Sequence, residues 1–314
     1  MPQTIDLTVD TPPPRPSTLI LFNTTTTNLP LCHIPPSSSS SSSPPTSTFT
    51  LSLLPWTLRN PPTASLRSPL LRKRTWLQQN TISLPTSLSA HLRPSTSDPV
   101  AATLVFAHSE AGTAVCLSPD GVLLTCAHCV AESPAELNPA ELRVLLFSSG
   151  AVVTARVVAW DPVRDLALLV VVETDSLRRP FPFVRLAPAP PKLRTPLLCI
   201  GHPGSEDLEA STAGVPTHYD TLVLSSGRFR GLAKGQDVQD NSEVGALAHT
   251  CWTYWGHSGA GLVDERTGLL VGMHSSWDEE TGMRRGVAWE AIDAFLSEFE
   301  GKGGVPEGWR WCVR

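Results

Sequence analysis

Between residues 101 and 272 the apolar residues come in short runs of three to eight, broken by Gly, Pro, Ser, Asn and Asp. Runs this short cannot supply the long one-sided stripe of a packed helix; they suit strands joined by tight turns. The spacing predicts strands over 101–106, 112–117 and 122–125. Asp120-Gly121 sits between the last two, and an Asp-Gly pair supplies the left-handed backbone a hairpin turn needs. Further strands are predicted over 142–147, 152–159 and 165–172. A proline-rich connector over 180–191 then leads to runs at 196–200, 221–224, 246–248, 261–263 and 269–272. Two sets of short strands divided by a Pro-rich crossing imply an all-β fold of two packed antiparallel barrels. Val287, Ala288, Ala291, Ile292, Phe295 and Leu296 then recur at helical spacing before Gly301 and Gly303. They predict a helix over 287–299 docked on the second barrel, with 301–314 as a tail.

The chain before this region has a different composition. From Thr11 to Ser97 there is no Asp or Glu, and Ser37 to Ser43 is an unbroken serine tract between proline pairs. Such sequence buries too little apolar surface to offset its ordering entropy. Residues 1–97 are therefore expected to form a disordered Pro/Ser/Thr-rich region. A folded domain over 98–300 follows, with one barrel over about 98–185 and the other over about 192–284. Arg72-Lys73-Arg74, beside Trp76, reads as a solvated basic patch in the linker.

A net charge of −5 argues against a nucleic-acid surface. No apolar window reaches the roughly 20 residues of a membrane helix, and no charged-then-apolar secretory leader opens the chain. The acid-free stretch resembles an organelle transit peptide in composition, but Asp6 and Asp10 oppose that reading. Cytoplasm or nucleus is the expected compartment, with the mitochondrion as the alternative. Seven cysteines, an odd number scattered through apolar context, fit free thiols better than a disulfide framework. Cys126 and Cys129 form one Cys-x-x-Cys pair at the end of a predicted strand. A redox dithiol would want a helix after it, and a zinc site a second cysteine pair.

Gly256-His257-Ser258-Gly259-Ala260-Gly261 is a small-residue turn between apolar segments. A backbone that tight can aim successive N–H groups at one spot and stabilise an oxyanion, provided a base activates the serine. His128 follows the 122–125 strand, and Asp165 opens a very apolar one, where a carboxylate can fix a histidine tautomer away from water. Asp161, before Pro162, is the rival acid and reads as part of a surface turn. An α/β-hydrolase elbow would need Gly two residues after the serine, where Ala260 stands, and a different order of acid and histidine. His202 and His249 read as ordinary loop or strand-end histidines.

Taken together, Thr125-Cys126-Ala127-His128-Cys129-Val130, Asp165-Leu166-Ala167-Leu168-Leu169 and the Gly256–Gly261 turn resemble the signature blocks of trypsin-like, chymotrypsin-fold serine peptidases. The 112–125 hairpin and Ile200-Gly201-His202-Pro203-Gly204 are most similar to the intracellular, HtrA-like branch, over about residues 99–298. The resemblance implies two six-stranded barrels and a serine endopeptidase acting on peptides or proteins without metal or cofactor. It implies His128 as general base, Asp165 as its orienter, Ser258 as nucleophile, and the N–H groups of Gly256 and Ser258 as oxyanion hole. Thr253, Met273, His274, Ser275 and Ser276 would line the substrate pocket. Thr253 and His274 are similar to the pair that glutamyl endopeptidases use for an acidic residue before the cut.

Departures accompany the likeness. Ala260 replaces a glycine, His257 stands where secreted trypsins carry an activating aspartate, and Cys129 lacks the partner of the secreted family's disulfide. HtrA proteins usually add a PDZ domain, whereas about 16 residues follow the predicted helix. A catalytically silent peptidase fold that binds peptides or proteins stays open beside the enzyme reading. So do the oligomeric state and the use of the N-terminal region, as self-cleaved segment or docking tether.

Overall fold

The computed structural model describes residues 18–22, 64–85, 88, 98–108, 112–175, 180–305, 308–311 and 313. Closing a sheet on itself leaves no unpaired edge, and both halves of the chain do this. The first barrel is built from β2 (Thr103–Phe106), β3 (Thr113–Cys116), β4 (Val122–Thr125), β5 (Leu142–Phe147), β6 (Val152–Asp161) and β7 (Leu166–Thr174). They run antiparallel in the order β6-β5-β2-β3-β4-β7, and β6 pairs with β7 to close the ring. The second holds β8 (Pro196–Gly201), β9 (Val223–Leu232), β10 (Leu247–His249), β11 (Gly261–Asp264), β12 (Leu270–Trp277) and β13 (Arg284–Ala288) in the closed order β10-β13-β12-β11-β8-β9.

The near-continuous apolar runs of β2, β3 and β4 are explained by burial on both faces, since every residue of these strands is buried. Phe147 and Phe181 stack at 5.7 Å, so the connector between barrels seals the first one. Buried Trp160 donates from Nε1 to the Ala127 carbonyl at 3.1 Å, tying β6 to the turn after β4. The C-terminal helix (Trp289–Gly301) buries Ala291, Ile292, Phe295, Leu296 and Phe299 and packs on β12 and β13. Among the described residues no helix is long and apolar enough to cross a membrane.

The sequence reading needs four corrections. Within the region expected to lack structure, β1 (Ile20–Leu21) adds to the edge of β6, and α1 (Ala64–Gln79) docks with Leu70 and Leu77 buried; the rest of residues 1–97, apart from 18, 19, 22, 80–85 and 88, lies outside the described residues. The basic cluster is solvated only at Arg72, which is exposed: Lys73 is buried and donates to the carbonyls of Phe106 and His108 at 2.8 and 2.7 Å, while Arg74 pairs with Asp175 at 2.6 Å. Asp161 is not in a surface turn: it is buried and accepts hydrogen bonds from Thr18 and Arg164. Val287 and Ala288, predicted as the start of the helix, close the strand β13 (Arg284–Ala288) instead, and the helix (α2) starts at Trp289. The tail is docked as well, for Leu186 donates to the Val313 carbonyl at 2.7 Å and Arg310 pairs with Asp120 at 3.0 Å. The five described cysteines are free thiols; Cys32 and Cys312 lie outside the described residues.

Candidate active site

A turn over 127–131 follows β4, closed by hydrogen bonds from Val130 and Ala131 to the Ala127 carbonyl. It holds His128 at the barrel's end with its side chain 44% exposed. Asp165 comes from the β6–β7 turn, where its φ of 54° puts a non-glycine residue in the left-handed region. Such strain costs on the order of 1–3 kcal/mol and persists where the surroundings demand it. Here it aims the carboxylate at His128: Nδ1 lies 2.9 and 3.0 Å from the two Asp165 oxygens, and the His128 backbone N–H donates to Oδ1 at 3.2 Å. Burial opposes charge on the imidazole, but the carboxylate and the neighbouring Cys129 outweigh it and hold the histidine pKa well above its ordinary value. A hydrogen bond from Cys126, aided by His128 and opposed by burial, draws the Cys129 thiol below the usual thiol range.

The serine turn belongs to the second barrel yet is braced by the first. Gly259 has φ +85°, and a Cβ there would stand 1.9 Å from the Thr113 carbonyl oxygen, so no other residue fits. Thr113, at the start of β3, donates its N–H to the Ser258 carbonyl at 2.8 Å and its hydroxyl to the Gly256 carbonyl at 3.0 Å. With both carbonyls held, the N–H groups of Gly256 and Ser258 donate to no acceptor among the described residues. Ser258 Oγ donates to the Ser275 carbonyl at 3.0 Å, and among the described residues it makes no hydrogen bond to His128. His257 takes the place of a charged residue: its Nδ1 accepts from the Tyr254 N–H at 3.1 Å, and burial lowers its pKa to about 4.

A cavity of about 760 Å³ brings His128, Asp165 and Ser258 together with His274, Ser275 and Ser276. The other two predicted pocket residues are not on its wall: Met273 packs in the hydrophobic core, and Thr253 is buried with Oγ1 unpartnered. The wall also contains Trp255 and Trp277, whose rings meet edge-on at 4.6 Å, and Arg285, paired with Asp278 at 2.6 Å. Sequence reasoning passed over all four, although Trp255 directly precedes Gly256. His249 is more than a strand-end residue, because its Nε2 lies 3.1 Å from Nδ1 of the equally buried His274. Burial, joined by the charge of Arg284, lowers His249 to about 3, and burial holds His274 well below its ordinary value; both rings are neutral. His202 is likewise buried, with its N–H donated to Thr113 Oγ1 at 3.0 Å.

Residues 112–273, more than half of the chain, match the family model of the trypsin-like peptidase domain. The chain belongs to this family. Trypsin-like peptidase membership supports protease-type hydrolysis of a peptide or protein substrate by serine-hydrolase chemistry. Similar solved structures include a serine endoprotease from Yersinia pestis, at 20% identity and TM-score 0.48, covering 70% of this chain and 69% of that one. The active form of the Rv3671c protease from M. tuberculosis has 18% identity and TM-score 0.45, covering 69% of this chain and 93% of that one. No curated protein matches the chain.

Proposed function

We propose that the protein is a serine endopeptidase of the HtrA-like branch, with His128, Asp165 and Ser258 as its catalytic triad. The observation that carries this reading is the two-oxygen approach of Asp165 to His128 Nδ1, at 2.9 and 3.0 Å, on the cavity that also holds Ser258. A carboxylate there keeps the ring proton on Nδ1 and leaves Nε2 as acceptor. Ser258 Oγ turns from the Ser275 carbonyl to Nε2, loses its proton to the ring and attacks the substrate carbonyl. The N–H groups of Gly256 and Ser258 receive the developing oxyanion. His128 then protonates the leaving amine, and water activated by the same ring hydrolyses the acyl-enzyme.

The preferred residue before the cut is Glu or Asp. His274 on the cavity wall supports this: with Nδ1 accepting from His249, its Nε2 carries a proton that a substrate carboxylate can accept. The compartment proposed is cytoplasm or nucleus. The peptidase domain spans 98–300, with β1 and α1 as structured additions from the preceding region.

One observation favours a second reading, a peptide-binding module with a silent triad: Ser258 Oγ rests on the Ser275 carbonyl instead of on His128. A library of peptides varied before the cut separates the two. Turnover by wild type, absent in Ser258→Ala and concentrated on Glu and Asp, supports the peptidase; binding of peptides without turnover by folded protein supports the module.

A further inference from the structure

A trans peptide points its carbonyl opposite its N–H, so a backbone oxyanion hole depends on what holds the carbonyls of the same peptides. The Trp255 carbonyl shares its peptide with the Gly256 N–H and accepts from the Gly204 N–H at 2.6 Å. The next carbonyl, that of Gly256, accepts from Thr113 Oγ1 at 3.0 Å, and the Ser258 carbonyl from the Thr113 N–H at 2.8 Å. Both holders lie outside the serine turn, and α1 reaches each of them. Thr113 follows Gly112, whose carbonyl accepts from the Phe106 N–H at 3.0 Å. The Phe106 carbonyl in turn accepts from Lys73 Nζ at 2.8 Å, and the His108 carbonyl accepts from the same amine at 2.7 Å. On the other side Arg72 donates to Ser205 Oγ at 3.0 Å, one residue beyond Gly204. The His202 N–H, donated to Thr113 Oγ1 at 3.0 Å, joins the two routes. Lys73 is 1% exposed, and burying an amine is costly where an apolar side chain would dock a helix without that cost. What the amine adds is a grip on two carbonyls of the segment that leads to Thr113.

We propose that Lys73 and Arg72 are positioning residues for the oxyanion hole. Through them α1, which precedes the peptidase domain, holds the segment before β3 with one residue and the loop after β8 with its neighbour. The serine turn is thereby kept with the peptides of Gly256 and Ser258 oriented for a substrate. When α1 is released, the Trp255–Gly256 peptide loses its outside support, and rotation of that plane removes an oxyanion donor. This role rests on the peptidase reading, whereas the contacts that carry it do not.

Lys73→Met in the full-length chain separates the grip from the packing, because Met keeps an apolar stem and lacks the donors. Steady-state peptide cleavage should show kcat lowered about tenfold with KM unchanged, a smaller loss than the roughly 10²–10³-fold of deleting an oxyanion donor. Arg72→Ala should lower kcat less. Thr113→Val should lower it more than either, and adding Lys73→Met to that variant should cost nothing further, because both act on one path. Losses that multiply in the double variant, or a raised KM with kcat intact, overturn the proposal. Amide NMR supplies an arm independent of turnover, and of whether Thr113→Val folds: the Thr113, Gly256 and Ser258 resonances should shift in folded Lys73→Met. Resonances that stay in place overturn the positioning role. If wild type cleaves no peptide, the peptidase reading fails while these resonances still decide whether α1 sets the turn.

Discussion

The two barrels have the same strand number and the same closure, yet they treat buried polar groups in opposite ways. In the first, buried charge is answered: Asp161 by Arg164 and Thr18, Asp165 by His128, Lys73 by two carbonyls. Its exceptions include the buried Thr174 Oγ1 and Arg143 Nε, which have no partner among the described residues. In the second, His202 Nε2, Thr253 Oγ1 and His257 Nε2 are all buried without partners among the described residues, in the half that carries Ser258 and His274. Each such group costs about 1–3 kcal/mol. Register shifts occur in both barrels, between β6 and β7 as well as beside His249 and His274, so the contrast lies in side chains and not in the backbone. The first barrel is thus a frame that fixes base and acid, while the second carries buried polar groups without partners behind the wall that holds Ser258 and His274.

The largest effect that can break this contrast is expected at the frame's acid. Asp165→Asn leaves the fold in place but presents His128 in the wrong tautomer, and kcat/KM should fall about 10⁴-fold. A loss under tenfold in steady-state kinetics would remove Asp165 from its role. Next comes the frame's packing: Trp160→Ala empties a buried site and removes one of the three hydrogen bonds to the Ala127 carbonyl, so denaturant unfolding should register a loss of about 3–5 kcal/mol.

A third test concerns the clamp on the first barrel. Burial, with the charge of Arg72 beside it, lowers Lys73 from 10.5 to about 7. Between these values the undocked helix holds a proton that the docked one has released, so docking of α1 strengthens as pH rises from about 7 to 10.5 and carries its full penalty below 7. Hydrogen exchange of the α1 amides should show protection increasing over that window once corrected for intrinsic rates. Lys73→Met should flatten the dependence; an unchanged slope would show that another group titrates. The smallest effect is in the second barrel. Thr253→Val removes an unpartnered hydroxyl without changing shape and should be neutral or stabilising by up to about 1 kcal/mol in thermal unfolding. A clear destabilisation would mean that the hydroxyl has a partner in solution.

Sequence alone made local structure legible where local chemistry decides it. Asp120-Gly121 marked the hairpin, Val122–Thr125 emerged as β4 at its expected limits, and the apolar spacing found the C-terminal helix to within two residues at each end. What stayed hidden depends on distant partners. Nothing near Lys73 signals that the carbonyls of Phe106 and His108 would receive it, so α1 looked solvated. Arg284 and Arg285 look too polar for a barrel strand, yet they flank a sheet in which their side chains stay partly exposed and Gly286 meets the Met273 backbone. At the site, the order of His128, Asp165 and Ser258 was readable, whereas the exclusion of Met273 from the wall and the entry of Trp255, Trp277 and Arg285 follow from how β12 and β13 curve. Cys126 was read without its imidazole and carboxylate neighbours because Asp165 arrives from a separate turn.

The central claim is that His128 of the first barrel activates Ser258 of the second. Fluorophosphonate labelling of the protein, with the adduct mapped by mass spectrometry, tests it most directly. The account predicts one adduct, on Ser258, lost in both Ser258→Ala and His128→Ala. A folded wild type that takes no label, or an adduct on any other residue, would contradict it.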